Sequence, residues 1–440
     1  MSIVWRNWAG DQRCAPAAID EPASEADIVA SVERARDTGR RVRVAGSGHS
    51  FSDIACTDGH MLRLGRMARL LDADGSTGIV RVEPGITLAR LGEELAAHGL
   101  ALENQGDIDA QVLAGAVSTA THGTGRGFQN LSAQVIGLRL VTADGSVREL
   151  SGESDPEAFL SARVGIGALG VVSELTLRCV PLFALRRIDD PRPLDETLMR
   201  IDEAVDRNDH FELFTFPYTG IALTRTSERV AGEVARPPSP RTVWLREAVL
   251  ENRVLDLASR AGRLAPALVP AINRTLMRFA GRSEKLDASH RVFATRRDVR
   301  FTEMEYAIPR AAAAVCVERV IDLVERRGLP VGFPIEVRFA AADDAYLSPA
   351  HGRETSYIAV HMYRGVEFES YFRGVEAIVR DYDGRPHWGK RHYQSASTLS
   401  ELYPEWDRFQ SVRTRLDPAG LFGNDYTDRV LGPVRSPVAA

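Results

Sequence analysis

Arg41-Val42-Arg43-Val44-Ala45-Gly46-Ser47-Gly48-His49-Ser50-Phe51 is the stretch on which the fold turns. Arg41 to Ala45 alternates charged and apolar residues, as a half-buried strand does. Two glycines follow at once. Lacking a Cβ, they let the backbone approach a ligand and turn successive N–H groups toward an anion. Ser47 and Ser50 add hydroxyl donors. A plain strand-exit loop has the same composition, so on spacing alone a ligand cradle and an ordinary loop stand level.

Downstream, Thr121-His122-Gly123-Thr124-Gly125 is a second small, polar loop. It follows Ala114-Gly115-Ala116-Val117-Ser118-Thr119-Ala120, a run with almost no side-chain bulk. Chains become this small where something large lies against the backbone. A dinucleotide qualifies, and so does a close helix contact; two such loops in one segment favour the cofactor. A third cluster, Gly165-Ile166-Gly167-Ala168-Leu169-Gly170, matches G-x-G-x-x-G. That fingerprint holds a pyrophosphate only where a strand precedes it and a helix follows. Here Val171 to Leu177 reads as a strand, so a Rossmann site is rejected in favour of a tight turn between packed elements.

Around these loops the chain alternates short helices and strands. Ser24 with Asp27 reads as a capping box opening a helix, in which Ile28, Val29, Val32 and Ala35 recur at helical spacing until Gly39. Gly78 to Val82 is a strand, and Leu88, Leu91 and Leu95 line one helix face that ends at Gly99. Val135 to Thr142 and Ser146 to Leu150 form a hairpin about Ala143-Asp144-Gly145, and Val171 to Val180 closes the segment. The sum is an α+β module. A shift comes near Pro181. Residues 190–330 read as long helical patterns, with arginine concentrated in 241–285, before strands return at 333–340 and 357–363.

In the first of those strands Phe333, Ile335, Val337 and Phe339 share one face, and Glu336 and Arg338 the other. An acid beside an arginine can grip a polyhydroxylated substrate; a cross-strand ion pair on a solvated face is the commoner use, and the pattern alone favours it. In the second, His361 shares a face with Tyr357, Ala359 and Tyr363, where a histidine is more often hydrogen-bonded than catalytic. His387-Trp388-Gly389-Lys390-Arg391-His392-Tyr393 offers a flat ring, a cation and imidazoles, which suits a sugar-contacting loop. His387 and His392 are five apart with no carboxylate between them, so no metal is expected.

Bulk properties narrow the classes. A chain of 440 residues makes two or three domains, and a net charge of -5 gives no reason to expect nucleic acid. The four cysteines form no C-x-x-C pair, which excludes the usual zinc-ribbon and iron–sulfur spacings and argues against a disulfide framework. With no secretory leader visible from Met1 to Trp8 and no apolar run of membrane-span length, the cytoplasm is the expected compartment. Neither G-x-S-x-G nor H-E-x-x-H is present, so hydrolase readings lack support. Arg246, Arg253, Arg260, Arg263, Arg274, Arg278 and Arg282 leave a peripheral membrane contact open, but Glu247, Glu251 and Asp256 dilute the charge and favour solvated helices.

Taken together and in order, these motifs resemble the aldonolactone oxidoreductase branch of the vanillyl-alcohol-oxidase flavoproteins, over essentially the whole chain. Gly46 to Phe51 resembles the family's flavin loop, Thr121 to Gly125 its second FAD loop, Glu336-Val337-Arg338 its acid–x–arginine pair, and His387-Trp388-Gly389-Lys390 its H-W-A-K motif with glycine in the alanine position. Leu416-Asp417-Pro418, Phe422 and Asn424-Asp425-Tyr426 are similar to its C-terminus. The resemblance implies an α+β fold: a two-part PCMH-type FAD-binding domain over residues 1–180, a substrate cap with an antiparallel sheet over 181–385, and a segment 386–440 packing back on both. It implies FAD bonded to His49 and held by Gly46, Ser47, Gly48, Ser50, Gly115, Ser118, His122, Gly123, Thr124 and Val172. It implies oxidation of a gulono-, galactono- or arabinono-1,4-lactone to an ascorbate-type product by hydride transfer to flavin N5. Glu336 and Arg338 would fix the substrate hydroxyls, Lys390 would stabilise oxyanion character and His361 would relay a proton. An alditol oxidase and a non-catalytic flavin-binding subunit are the competing readings, and the electron acceptor is left between O₂ and a cytochrome or quinone.

Overall fold

The structure is a computed structural model that describes residues 4–230, 252–295 and 297–434. Arg246, Glu247 and Glu251, weighed above for a membrane contact, lie outside the described residues, as do Met1 to Ile3.

The N-terminal part is built as its patterns require. Helix Glu25–Asp37 starts where the Ser24 hydroxyl accepts the Asp27 amide, and the Asp27 carboxylate turns back to the Ala23 amide, one residue short of a full capping box. Ile28, Val32 and Ala35 face the core, and Gly39 leaves the helix at a φ of +62°. Helix Leu88–Ala97 buries Leu88, Leu91 and Leu95. Two sheets organise the segment. Ala18–Asp20, His60–Leu62 and Val42–Val44 pair in parallel in that order. Val147–Ser151, Val135–Val141, Val171–Arg178, Ile79–Val82 and Leu70–Asp74 make a five-stranded antiparallel sheet. The strand Val171–Arg178 follows Gly170 directly, so the glycine cluster before it is a turn and not a Rossmann loop.

An eight-stranded antiparallel sheet forms the other half, in the order Ser283–Ala288, Ala184–Pro193, Ile221–Val230, His210–Thr215, Ile335–Ala340, Thr355–Tyr363, Phe301–Pro309 and Arg385–Pro386. Four of these strands lie within residues 190–330, where the sequence shows long helical patterns; the helices are there, but those patterns missed the strands between them. The reason is that both faces of the sheet are covered. Phe211, Leu213, Met304, Tyr306, Ile308, Ile335, Val337, Phe339, Ile358 and Val360 pack with Val317 and Val320 of helix Ala313–Arg327 and Phe372 and Val375 of helix Glu369–Arg380. The opposite face carries charged side chains that are buried too, so the strands lose the polar-out alternation that marks a half-exposed strand. Helices Leu255–Leu264 and Val269–Arg278 are the arginine-bearing helices expected in this region.

The C-terminal segment returns to the first half, where Leu399, Tyr403, Phe409, Val412 and Tyr426 share a core with Leu88, Leu91 and Leu138. The Asp417 carboxylate caps the Leu421 and Phe422 amides at 2.7 and 2.8 Å. The Asn424 side-chain amide donates to the carbonyls of Asp53, Ile54 and Cys56, pinning the chain just beyond the Gly46 to Phe51 loop. No described helix is long and apolar enough to cross a membrane.

Candidate active site

Two cavities meet between the halves, and Gln111 lines both. The first holds about 1340 Å³ of empty space, open to solvent, and is walled by Gly46, Ser47, Gly48, His49, Ser50, Gly115, Ser118, Gly167, Gly170 and Val172. The wall is small because the sequence is small there. Gly48 has a φ of +72°, a region that costs other residues a steric penalty. Arg43 fixes the wall from behind: its buried guanidinium donates to the carbonyls of Ile54, Ile166, Gly167 and Phe422, tying three distant loops together. The His49 ring stacks on Trp8 with centroids 5.3 Å apart. Burial, then the charges of Lys390 and Arg300, push its pKa down to about 4, so it stands neutral at pH 7 with a free nitrogen lone pair.

The second cavity, about 890 Å³ of empty space, lies on the charged face of the large sheet. Register assembles it. Glu212 stands opposite Arg338, Ala359 is flanked by Glu336 and Glu305, and Glu303 stands opposite His361. Glu336 and Arg338 are only 8% and 7% exposed, so the solvated ion pair favoured by pattern alone is not what forms. The Arg338 guanidinium meets Glu336 at 2.5 Å, Glu212 at 2.8 Å and Asp107 at 3.4 Å. Burial raises the Glu336 pKa and the Arg338 charge only partly offsets it, with Asp107 and Glu212 adding to the rise.

Lys390 reaches the Glu303 carboxylate at 2.5 Å. Burial pulls its pKa down, but Glu303 and Glu305 outweigh that and hold it above the ordinary value, so it stays an ammonium. His361 faces the Pro334 carbonyl with Nδ1 at 3.0 Å and Glu303 with Nε2 at 3.4 Å. Burial lowers its pKa and Glu303 more than reverses this, as a ring with an acceptor at both nitrogens requires.

The expected site residues divide between the cavities. Gly46, Ser47, Gly48, His49, Ser50, Gly115, Ser118 and Val172 line the first; Glu336, Arg338, Lys390 and His361 line the second. His122 also lines the second, where its Nε2 meets Glu305 at 3.1 Å and its ring stacks on Tyr357. Gly123 and Thr124 line neither. The Thr124 hydroxyl donates to the Phe211 carbonyl and the Gly125 amide to that of Phe339, so this loop docks on the large sheet. Trp388 is a correction: it is fully buried, donates to the Leu347 carbonyl at 2.6 Å and stacks on Tyr403, so it cannot be a platform for sugar. His392 turns away to the Tyr426 hydroxyl, leaving His387 and Lys390 as the residues of that motif in the cavity.

Asp107, Glu212, Arg297, Glu303 and Glu305 were not singled out from sequence. Glu303 and Glu305 carry a signal, two acids at period two inside Phe301-Thr302-Glu303-Met304-Glu305-Tyr306. Asp107 sits in a loop with none. His122, Glu305 and His387 cluster with ligating atoms within 4.8 Å. The Gly389 amide donates to His387 Nδ1, which places that ring's proton on Nε2, and the His122 nitrogens face the Gly123 carbonyl and Glu305.

Known proteins bear on this geometry. Residues 175–430 match the family model of D-arabinono-1,4-lactone oxidase, and residues 16–151 match that of an FAD-binding domain. The chain is 56% identical to L-gulono-1,4-lactone dehydrogenase of Mycobacterium tuberculosis, over 98% of this chain and all of that one. It is 35% identical to L-gulonolactone oxidase of Bos taurus, over 97% and 98% of the two chains. It is 31% identical to alditol oxidase of a Streptomyces species, over 97% and 98%. Its fold is shared by cholesterol oxidase from Brevibacterium sterolicum, with a TM-score of 0.83 at 17% identity over 98% of this chain and 97% of that one. The α+β architecture, a PCMH-type FAD-binding part joined to an antiparallel cap sheet, is therefore the one the motifs implied. By the match over residues 175–430 and the identity along its full length, the chain belongs to the D-arabinono-1,4-lactone oxidase family.

Proposed function

We propose that this chain oxidises an aldono-1,4-lactone with FAD, its flavin bonded to His49. The observation that carries the reading is the junction of the two cavities: a small-walled one suited to a dinucleotide and a charged one suited to hydroxyl groups, with Gln111 in both walls. The first cavity fits FAD by its chemistry. Glycine and serine backbone from three loops lines it, and the neutral His49 imidazole offers a nucleophilic nitrogen for the tether. Gly46, Ser47, Gly48, Ser50, Gly115, Ser118 and Val172 would hold the cofactor, with His122, Gly123 and Thr124 steadying its substrate side. In domain terms, residues 1–180 with 386–440 are the cofactor unit and 181–385 the cap.

FAD, when bound, supplies the acceptor for a hydride. The protein's part is orientation and charge. Glu336 and Arg338 bind the lactone hydroxyls, the raised pKa of Glu336 letting it act as donor or acceptor. The Lys390 ammonium, kept charged by Glu303, stabilises oxyanion character on the carbinol oxygen as its proton leaves. The Glu303–His361 pair carries that proton away. Oxidation at C2 of the lactone gives a ketone that tautomerises to an ascorbate-type enediol. A pure flavin-binding subunit has no use for this constellation, and the chain's free cysteines favour a reducing compartment such as the cytoplasm.

The test is the visible spectrum of the purified protein, before and after acid denaturation, with anaerobic addition of each lactone and of xylitol. Yellow colour that stays with the precipitate and bleaches with lactone supports the reading. Bleaching by xylitol alone makes it an alditol oxidase. A folded, colourless protein that FAD cannot reconstitute overturns it.

A further inference from the structure

Outside the second cavity lies an arginine-lined recess with about 1490 Å³ of empty space, open to solvent. Arg253, Arg260, Arg263, Arg300 and Arg364 line it against Asp256 and Asp298. Arg260 is paired to Asp256 at 2.8 Å. Among the described residues Arg253, Arg263, Arg300 and Arg364 have no carboxylate within ion-pair distance. Arg263 instead lies over the Tyr363 ring at 5.6 Å, and Arg300 over the Trp8 ring at 5.0 Å. Five guanidinium groups against two carboxylates leave the described lining with a surplus of positive charge, which draws anions toward it.

Two contacts connect the recess to the site. Asn252 and Val299 line both the recess and the second cavity, so the two are continuous. Arg300 rests on Trp8, and Trp8 rests on His49, so an anion against Arg300 stands one aromatic ring from the His49 imidazole. The inner cavity has no such surplus of positive charge. Asp107, Glu303, Glu305 and Glu336 line it, against Arg297, Arg338 and Lys390 with the three histidines His122, His361 and His387. An anion gains no net attraction there, whereas a neutral lactone gains nothing from the arginines outside. The two spaces thus sort two reactants by charge.

We propose that the recess is the docking site for a small anionic electron acceptor, which reoxidises the enzyme from the His49–Trp8 side while the sugar occupies the inner cavity. The proposal rests on the lactone-oxidising reading above. With hexacyanoferrate(III) as the acceptor the balance is simple. Oxidation of one CH–OH to C=O releases two electrons and two protons; two hexacyanoferrate(III) ions take the electrons and become hexacyanoferrate(II), and the protons go to solvent.

The test pairs binding with turnover on the holoenzyme. Calorimetric titration of the resting enzyme with hexacyanoferrate(II) should show binding that salt weakens, and Arg263→Glu with Arg364→Glu should weaken it at least about tenfold. The same double variant should lower kcat/KM for hexacyanoferrate(III) by about tenfold or more, spare a cationic acceptor, and leave anaerobic bleaching by lactone unchanged. Arg263→Gln with Arg364→Gln, which removes charge without reversing it, should fall between, and serves if the glutamate variant does not fold. Equal binding by variant and parent overturns the proposal. So does weakened binding with undiminished reoxidation, which would make the recess an anion site of another use. If no lactone bleaches the flavin, the underlying reading fails instead, and the titration still reports on the recess.

Discussion

The two cavities reach function by opposite routes. The first is made of backbone: glycines, small residues and carbonyls tied by one buried arginine, with His49 the reactive side chain in its wall. The second is made of side chains, four carboxylates and three permanent cations, held on loops and on strands that are far apart in sequence and close in the sheet. A backbone cradle shows in sequence as a local run, because every position in it must be small. A charged constellation shows only in part, because each member looks like a surface residue until the register brings it beside its partner.

That contrast makes the two cavities separable by mutation. The largest effect belongs to His49→Ala. It should abolish covalent attachment completely while leaving the second cavity unchanged, checked by acid precipitation and the colour of the supernatant. Flavin that remains on the precipitated variant chain would break the assignment. Next is Lys390→Ala, expected to lower kcat by about 10²–10³, the usual cost of removing one oxyanion partner, with flavin content intact. Stopped-flow bleaching by lactone reads it directly. Loss of flavin together with turnover would show that the cavities are not separable, since Lys390 also acts on the His49 pKa.

Legibility followed the same line. Gly46 to Ser50, Gly115 and Ser118 stand in local runs of small residues, Val172 was implied by the resemblance alone, and the structure puts all of them on one wall. Glu336, Arg338, His361 and Lys390 were found through motif resemblance, but their partners Glu212, Asp107 and Glu303 were not, since partnership depends on strands distant in the chain or on a loop. The strands Ile221–Val230 and Phe301–Pro309 were missed among the helical patterns of residues 190–330 for a related reason. Burial of Ser227, Glu303 and Glu305 removes the alternation by which a strand is usually known.

A smaller effect tests the wiring of the charged cavity. The folded pKa of His361 is raised, with Glu303 outweighing burial. A raised folded pKa stabilises fully below the unfolded value of about 6.5 and is lost as pH rises through the folded one. The stabilising Glu303–His361 pair should therefore weaken on the basic side, whereas a ring that takes the substrate's proton must first be unprotonated, so kcat/KM should rise as pH passes upward through the folded pKa while Lys390 is still charged. In His361→Asn that acid limb should disappear, leaving a lower, flatter profile. A variant profile that superimposes on the parent's would remove His361 from proton transfer.

The smallest effect on catalysis is expected where a ring looked suited to sugar. Trp388 is sealed in the core, hydrogen-bonded to Leu347 and stacked on Tyr403 with ring centroids 5.4 Å apart. Trp388→Phe removes that hydrogen bond and some volume, so it should cost about 1–3 kcal/mol of stability. The lactone KM should not move, because no atom of this ring lines the substrate cavity. Thermal unfolding and steady-state kinetics on one preparation decide between the two roles. A lower Tm with an unchanged KM assigns Trp388 to the support beneath His387 and Lys390. A KM raised several-fold at unchanged Tm would mean that the ring reaches the sugar. In that case the boundary between scaffold and site runs one residue deeper into the motif than the buried hydrogen bond to Leu347 implies.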